Sequence, residues 1–353
     1  MYIKIYLNDL KYRYDVYQMF NIFYTFKELK FVNEDEERDY DVFISENMVK
    51  ISEGDNSFSY EFKEGYGFKT ELKKGIFKFL SKTLKDEYPW GTLVGIRPSK
   101  IALSLIREGK SEEEIIKYFE DNYMAREEKA KLCIEVAERE ESFVNKEEKN
   151  ISIYVGMPFC PTRCLYCSFA ANPIAGCKKD VKPYLEALSK EISAISDYVL
   201  KKGLKIETVY FGGGTPTSVN NEQFEVLMKH IYDSFVNNKG IKEFTVECGR
   251  PDSITEEKLK TMKRYEVSRI SINPQSMNDK TLKSIGRGHL TEDVVDKFNL
   301  ARSLDFDNIN MDIIIGLPNE DISEVSKTCS MIKELNPDSL TIHGMSIKRA
   351  SRL

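Results

Sequence analysis

The second part of the sequence alternates between strand-like and helix-like segments, and this alternation constrains the fold more than any other feature. The predicted strands are Ile151–Met157, Ile206–Phe211, Glu243–Glu247, Ser268–Ile272, Asn308–Ile314 and Ser339–Ile342. The predicted helices are Lys182–Leu200, Asn221–Val236, Glu256–Tyr265, Asp279–Ser284 with Glu292–Leu304, and Ile322–Leu335. Such alternation predicts parallel strands, because a parallel connection needs a long crossover. Right-handed crossovers curl these units into a barrel or a doubly wound sheet, and both bind ligands at the carboxyl ends of their strands.

The residues before this region follow a different pattern, which predicts an N-terminal domain over residues 1–150 and a second domain over residues 151–353. Ile3, Ile5 and Leu7 share one face of a strand, and Tyr40–Phe62 has the short strands and turn residues of a β-meander. Helical periodicity is found at Tyr14–Phe26, from Phe68 onward and at Arg126–Lys146. We therefore expect a small α+β domain with a helical annex. This domain could dock a partner or recognise an electron donor, and the residues do not specify which.

The composition argues against several classes of partner. The formal net charge of −5 gives no electrostatic reason to expect nucleic acid. No apolar stretch approaches the length of a membrane span, and the N-terminus lacks the apolar core and cleavage site of a signal peptide. We therefore expect a cytoplasmic protein. Clustered cysteines in such a protein indicate a metal site or catalysis rather than disulfides.

Three cysteines with the spacing C-x3-C-x2-C follow the first predicted strand. Cys160, Cys164 and Cys167 could hold three irons of a four-iron cluster and leave the fourth iron without a protein ligand, because thiolates are the usual ligands of such clusters. Zinc is the alternative, but a structural zinc site needs four ligands. Only Cys177 could complete that set, and no histidine is near. The pattern favours an iron–sulfur site and leaves the role of Cys177 open.

Unusual residues follow other predicted strands at the same end. The segment Gly212–Thr217 (GGGTPT) is not a Walker loop, because it lacks the Gly-Lys-Ser/Thr ending. Its glycines would let the backbone approach a ligand and expose N–H donors, although a tight packing turn is the alternative. Glu247 could accept hydrogen bonds from a ribose diol or be a solvated strand terminus. His343 follows the sixth strand, whereas His289 is expected to be structural.

Further polar residues accompany the later strands. Gln275 and Arg287 offer donors suited to a carboxylate, which arginine can bind with two parallel hydrogen bonds. Asp312 lies between apolar neighbours, where an unpaired charge is costly, so the residue is expected to serve a cation. Arg163 and Arg250 could meet anionic groups of a substrate, but solvent-exposed surface is the expectation for both.

These motifs resemble those of the radical S-adenosylmethionine enzymes and, within them, the oxygen-independent coproporphyrinogen III oxidase group. The resemblance is specific from about residue 150 onward, and an N-terminal segment, Tyr88–Pro98, is similar to one in the coproporphyrinogen dehydrogenase branch. The runs that carry it are Tyr154–Cys160, Phe211–Thr217, Asn273–Ser276, Gly286–His289 and Asp312–Pro318.

The resemblance implies a partial barrel of six parallel strands that holds a [4Fe–4S] cluster and S-adenosylmethionine. Cys160, Cys164 and Cys167 would hold the cluster. The residues implied to contact S-adenosylmethionine are Tyr154, Tyr166, Gly213, Gly214, Thr215, Glu247, Gln275, Arg287 and Asp312. Tyr154 would lie near the sulfonium, Tyr166 towards the adenine and Glu247 at the ribose.

The implied reaction is oxidative decarboxylation of two propionates of coproporphyrinogen III to vinyl groups, giving protoporphyrinogen IX. A 5′-deoxyadenosyl radical would abstract hydrogen from each propionate, and a flavodoxin or ferredoxin would supply electrons. The resemblance identifies no catalytic side chain.

Two features limit the match. Ser168 and Phe169 occupy the stretch in which well-studied oxidases carry another cysteine, so the chain is also similar to haem-binding chaperones that keep the cluster. A radical methyltransferase on the same barrel is a third alternative. Family members continue into a C-terminal region that helps cover the active site, and the resemblance implies that the sequence ending at Leu353 lacks it.

Overall fold

The computed structural model describes residues 2–144, 147–347 and 351–353. It divides into two compact units, Met1–Asn145 and Lys146–Leu353. We keep the division near residue 150 as the proposed domain organisation and describe each unit by itself.

The first unit contains a five-stranded mixed sheet. Its elements are β1 (Tyr2–Leu7), α1 (Arg13–Phe23), β2 (Glu28–Val32), β3 (Tyr40–Ile44), β4 (Met48–Glu53) and β5 (Asn56–Glu61). The strand order is β2-β1-β3-β4-β5, with β1 parallel to both neighbours and β3, β4 and β5 antiparallel. The predicted meander is confirmed. Strand β2 was not predicted, because its pattern is short and follows an apolar helix, and its pairing with β1 is long-range.

Four helices complete this unit: α2 (Phe68–Leu84), α3 (Pro98–Arg107), α4 (Glu112–Tyr123) and α5 (Glu127–Glu141). Helices α1 and α2 pack on the sheet through buried side chains such as Phe20 and Ile76, whereas α3, α4 and α5 share a second core. Ser111 and Glu114 form a capping box that starts α4. The last two residues of the predicted helix Arg126–Lys146 lie outside the described residues.

The second unit is built on six parallel strands. Its strands are β6 (Asn150–Met157), β7 (Phe159–Cys160), β8 (Asn172–Pro173), β9 (Lys205–Gly213), β10 (Glu243–Val246), β11 (Arg269–Ser271), β12 (Ile309–Ile315) and β13 (Ser339–Gly344). Its helices are α6 (Lys178–Lys202), α7 (Asn221–Ile231), α8 (Glu256–Arg264), α9 (Asp279–Ser284), α10 (Thr291–Ser303) and α11 (Ile322–Leu335). The main sheet has the order β6-β9-β10-β11-β12-β13, with β7 and β8 paired separately.

The order of the main sheet distinguishes between the two predicted architectures. Neighbouring strands follow chain order from one edge to the other, and all neighbours are parallel. A doubly wound sheet would reverse its order at a switch point. The strands therefore form a partial barrel, as predicted, with β6 and β13 at its edges.

The outer face of this sheet packs against helices. Val155, Phe211 and Val246 belong to one buried core with Phe224 of α7 and Phe298 of α10. Because side chains alternate along a strand, the neighbouring residues face the opposite side of the sheet. Polar side chains recur there, and this inner face leads to the carboxyl ends of the strands. Within the described residues, no helix combines the length and apolarity needed to cross a membrane.

Candidate functional site

A cavity of about 310 Å³ opens at the carboxyl ends of the barrel strands. This volume lies at the lower end of the range for small-molecule sites. The cavity collects every residue predicted for the cluster and for S-adenosylmethionine except Tyr154. Those lining it are Cys160, Cys164, Tyr166, Cys167, Gly213, Gly214, Thr215, Glu247, Gln275, Arg287 and Asp312. Residues from six successive segments of the chain therefore meet at one place.

The cysteine loop forms one wall. Cys160 ends β7 and is buried, Cys164 is buried in the following loop, and Cys167 is partly exposed. The Thr215 hydroxyl donates to Cys160 Sγ at 3.3 Å. Burial raises the pKa of the Cys160 thiol, although the hydrogen bond from Thr215 acts in the opposite direction. A bound cation would favour the thiolate, which is the form that ligates metals.

The glycine segment lies directly against this wall. A Cβ atom on Gly214 would lie 2.6 Å from the Phe159 carbonyl oxygen and 3.0 Å from Cys160 Sγ. The Gly214 N–H donates to the Met157 carbonyl, and the Thr215 N–H donates to the Phe159 carbonyl at 2.8 Å. The expectation that the glycines expose N–H donors is therefore wrong at Gly214, because its N–H pairs with the neighbouring backbone. The glycines are needed for close approach to the cysteine strand.

A buried lysine holds the far end of the glycine segment. Lys258 of α8 donates through Nζ to the Thr217 carbonyl at 2.6 Å and to the Ser253 carbonyl at 3.1 Å. Burial lowers the pKa of Lys258 to about 8. The lysine thus ties the segments that follow β9 and β10 to each other.

Glu247 follows β10 and is supported by two aromatic rings. The Tyr210 hydroxyl donates to Glu247 Oε1, and the Tyr154 ring stacks on Tyr210 with 5.8 Å between centroids. Burial raises the pKa of Glu247, opposed by the Tyr210 hydrogen bond. Tyr154 is 63% exposed and is not among the residues that line the cavity, and its ring packs on the site by stacking on Tyr210.

Asp312 lies on β12 and has neutral partners. Its carboxylate accepts from the Asn273 amide at 3.0 Å and from the Asn310 amide at 2.7 Å. His343 Nε2 lies 3.8 Å from the same carboxylate. We expected a cation at Asp312 because an unpaired buried carboxylate is costly. The two amides instead satisfy this carboxylate by hydrogen bonding. Sequence reasoning assigned no role to Asn273 or Asn310, although Asn310 lies two residues before Asp312 and therefore faces the same side of β12.

Arg287 connects three of the loops that form the rim. Its guanidinium donates to the Tyr166 hydroxyl at 3.0 Å, to the Gly249 carbonyl at 2.8 Å and to the Asn273 carbonyl at 2.6 Å. Burial raises the pKa of Tyr166, and the positive charge of Arg287 opposes this shift. The arginine therefore fixes the shape of the site as well as its charge.

Two buried polar atoms at the cavity have no hydrogen-bond partner among the described residues: Gln275 Oε1 and Arg287 Nε. Gln275 also has a left-handed backbone with φ of 67°, which is uncommon for a residue other than glycine and is typical of functional sites. Unsatisfied buried polar groups are costly unless a ligand or water completes them. Both atoms thus fit a site that receives a polar ligand.

Four other residues considered from the sequence have these positions in the structure. Arg250, expected at the surface, is buried at 4% exposure and lines the cavity beside the cysteine loop. His289 is buried with neither ring nitrogen bonded to a described residue, and burial lowers its pKa to about 3. Cys177 precedes α6 and packs against the barrel core. Arg163 lines the cavity.

The donor set at the cavity fits an iron–sulfur cluster. Within the described ranges, no three His, Cys, Asp or Glu side chains converge on a position that could hold one metal ion. A four-iron cluster does not need such convergence, because each thiolate binds a different iron. The three cysteines share one cavity wall, and the remaining walls supply polar groups for a further ligand.

The chain is similar to known proteins in both sequence and fold. The model of the Radical SAM superfamily matches residues 154–332. The oxygen-independent coproporphyrinogen-III oxidase-like protein HemZ of Bacillus subtilis is 43% identical over 75% of this chain and 53% of HemZ. The haem chaperone HemW of the same organism is 33% identical over 56% of this chain and 51% of HemW.

One solved structure supports both the fold and the relationship. The coproporphyrinogen III oxidase HemN from Escherichia coli, described as a radical SAM enzyme, is similar with a TM-score of 0.51 and 27% identity. The match covers 60% of this chain and 50% of that chain. The chain spans about half the length of the curated relatives that it matches.

Proposed function

Because this chain belongs to the radical SAM superfamily, whose cofactors are a [4Fe–4S] cluster and S-adenosylmethionine, we propose that it is an oxidoreductase acting on coproporphyrinogen III. It converts two propionate groups to vinyl groups and gives protoporphyrinogen IX. The observation that carries the proposal is the single cavity shared by the cysteine triplet and the polar strand-end residues. Similarity to HemZ and HemN supports the choice of a tetrapyrrole substrate.

Different residues around the cavity bind the cluster and the different parts of S-adenosylmethionine. Cys160, Cys164 and Cys167 hold the cluster. Gly213, Gly214 and Thr215 position the methionyl end of S-adenosylmethionine, and Tyr166 lies towards the adenine. Gln275, Arg287 and Asp312 supply the polar surroundings of the cofactor, where the unpartnered Gln275 Oε1 and Arg287 Nε are suited to bind it. Glu247 accepts from the ribose hydroxyls, and Tyr154 supports it through Tyr210.

When bound, the cluster and S-adenosylmethionine supply a 5′-deoxyadenosyl radical as the hydrogen-abstracting agent. Each propionate loses one hydrogen atom to the radical, one molecule of CO2, and one electron to an external one-electron acceptor, and the remaining carbons form the vinyl group. A flavodoxin or ferredoxin supplies the electrons that reduce the cluster. The barrel residues keep water and oxygen away from the reacting carbon.

A haem-delivery chaperone is the second candidate. It is favoured by the similarity to HemW and by Ser168 and Phe169, which stand where well-studied oxidases carry another cysteine. Both candidates use the same cluster, so the presence of iron and sulfide does not separate them. They differ in whether coproporphyrinogen III is consumed.

The test is anaerobic reconstitution of this chain with iron and sulfide, followed by reductant, S-adenosylmethionine and coproporphyrinogen III. We expect 5′-deoxyadenosine and a divinyl product, detected by chromatography and mass spectrometry. Formation of 5′-deoxyadenosine without a vinyl product contradicts the oxidase proposal but leaves the radical chemistry intact. Haem binding without any vinyl product favours the chaperone.

Two cysteine variants provide the matched controls. Cys164→Ala removes a proposed ligand and should abolish cleavage of S-adenosylmethionine. Cys329→Ala removes an exposed cysteine of α11, away from the cavity, and should keep full activity. Equal cleavage by the two variants would contradict the ligand assignment.

A further inference from the structure

Arg250 lines the cavity beside the cysteine loop and belongs to the segment that follows β10. Its side chain is 4% exposed, and it forms an ion pair with Asp252 in which both carboxylate oxygens accept, from Nε at 2.9 Å and from an Nη at 2.7 Å. This paired geometry fixes the plane of the guanidinium. The side chain of Asp252 is 23% exposed, so it reaches solvent whereas the arginine does not.

The other edge of the guanidinium faces the cysteine loop. One Nη donates to the Thr162 carbonyl at 3.1 Å and to Cys164 Sγ at 3.6 Å, and the other donates to the Thr162 hydroxyl at 3.0 Å. The loop is also held by the Leu165 N–H, which donates to the Ile285 carbonyl at 2.9 Å. Arg250 thus joins the segment after β10 to the loop that carries Cys164.

These contacts argue against the role in substrate binding considered from the sequence. An arginine has five N–H donors, and the contacts with Asp252, Thr162 and Cys164 are five in number. An anionic substrate would have to displace protein groups from a buried pair. The positive charge is instead directed at a sulfur atom.

A donor at a ligating sulfur affects the reduction potential of the cluster. Hydrogen bonds to the sulfurs and nearby charge help to set this potential, because the reduced cluster is more negative than the oxidised one. Arg250 stabilises the more negative state, whereas the carboxylate of Asp252 opposes it. The two residues should therefore act in opposite directions.

We propose that Arg250 is a positioning residue that holds the Cys164 loop and raises the reduction potential of the cluster, with Asp252 as the opposing charge. The inference rests on the proposed function only in its assignment of the cluster to the three cysteines.

The test is an anaerobic spectroscopic redox titration of the reconstituted chain, without S-adenosylmethionine or substrate. For Arg250→Gln we expect the ratio of reduced to oxidised cluster at a fixed potential to fall about tenfold, which is about 59 mV for a one-electron couple. Asp252→Asn should raise this ratio. Arg250→Lys should lie between the wild type and Arg250→Gln, because it keeps the charge without the paired donors. Arg264→Gln, which removes an arginine of α8 paired with Glu225, should leave the ratio unchanged.

The directions in which the reduction potential shifts distinguish an electrostatic effect on the cluster from mechanical support of the cysteine loop. Shifts in the same direction for Arg250→Gln and Asp252→Asn, or no shift in either, overturn the proposal. If Arg250→Gln does not retain iron, Arg250→Lys and Asp252→Asn provide the same test. Arg250→Lys must then lower the reduction potential of the cluster, and Asp252→Asn must raise it.

A second readout needs no cluster. In the apo protein, Arg250→Gln should increase the rate of amide hydrogen exchange in the loop from Thr162 to Leu165, because the loop loses three of its contacts. An unchanged rate contradicts the positioning role. Since neither measurement involves turnover, both remain decisive if the oxidase proposal fails.

Discussion

Replacing Gly214 by alanine tests the closest backbone approach in the site. The added Cβ would lie 2.6 Å from the Phe159 carbonyl oxygen, 2.9 Å from the Met157 carbonyl oxygen and 3.0 Å from Cys160 Sγ. Ordinary contact begins at 3.4 Å, so the shortest of these distances is about 0.8 Å too small. Gly214 does not have a left-handed backbone, so the effect of the substitution is steric.

The expected cost follows from which atoms must move. Two of the three contacts are backbone oxygens, which cannot rotate away as the end of a flexible side chain could. Overpacking of this kind typically costs about 1–3 kcal/mol. The third contact is Cys160, so the shift also displaces a proposed cluster ligand. We therefore expect both lower stability and lower incorporation of iron.

The assay combines anaerobic urea denaturation of the apo chain with iron and sulfide analysis after reconstitution. Gly176→Ala is the matched control, because a Cβ at that position meets no atom within 4 Å and the glycine has no left-handed backbone. Its unfolding free energy should stay within about 0.5 kcal/mol of the wild type, as for most surface substitutions. Equal stability and iron content in Gly214→Ala and Gly176→Ala would refute the steric argument.

Two further predictions concern buried titrating groups. Burial raises the pKa of Glu247, so its ionisation opposes folding once the pH rises above the pKa that Glu247 has in the unfolded chain. Glu247→Gln should therefore stabilise the apo chain at pH 8 but hardly at pH 4, and it should weaken binding of S-adenosylmethionine. Equal gains in unfolding free energy at both pH values, measured by urea denaturation, would contradict this. His289, with its pKa lowered to about 3, stays neutral in the fold while the unfolded chain gains a proton below its ordinary pKa of 6.5. Between pH 7.5 and 5 the wild type should lose about 2 kcal/mol more than His289→Leu, and parallel pH profiles would show that His289 does not cause the loss.

The sequence was sufficient to predict the barrel strands and eleven of the residues that line the cavity. The period of the apolar pattern changes between strand and helix, and parallel connections allow few arrangements of such units. Once the strands are parallel, residues that follow them meet at one edge. This explains why Glu247, Gln275 and Asp312 lie at the same cavity although they are far apart in the chain.

The features that the sequence did not predict correctly depend on long-range pairing. Strand β2 was missed because only its pairing with β1 identifies it. The N–H group of Gly214 was expected to be exposed, but it donates to the Met157 carbonyl of the neighbouring strand. In each case the deciding partner comes from a distant part of the sequence, which local periodicity does not contain.

By itself, the sequence determined the order of strands and helices, the spacing of the three cysteines and the end of the barrel at which they lie. Those features depend on local patterns and on the limited connections available to parallel strands. Only the tertiary structure decided that Arg250 is buried against Thr162 and Cys164, more than 80 residues away, and that two amides satisfy Asp312. Burial and hydrogen-bond partners depend on which distant segments pack together, and the charge of a side chain alone does not specify them.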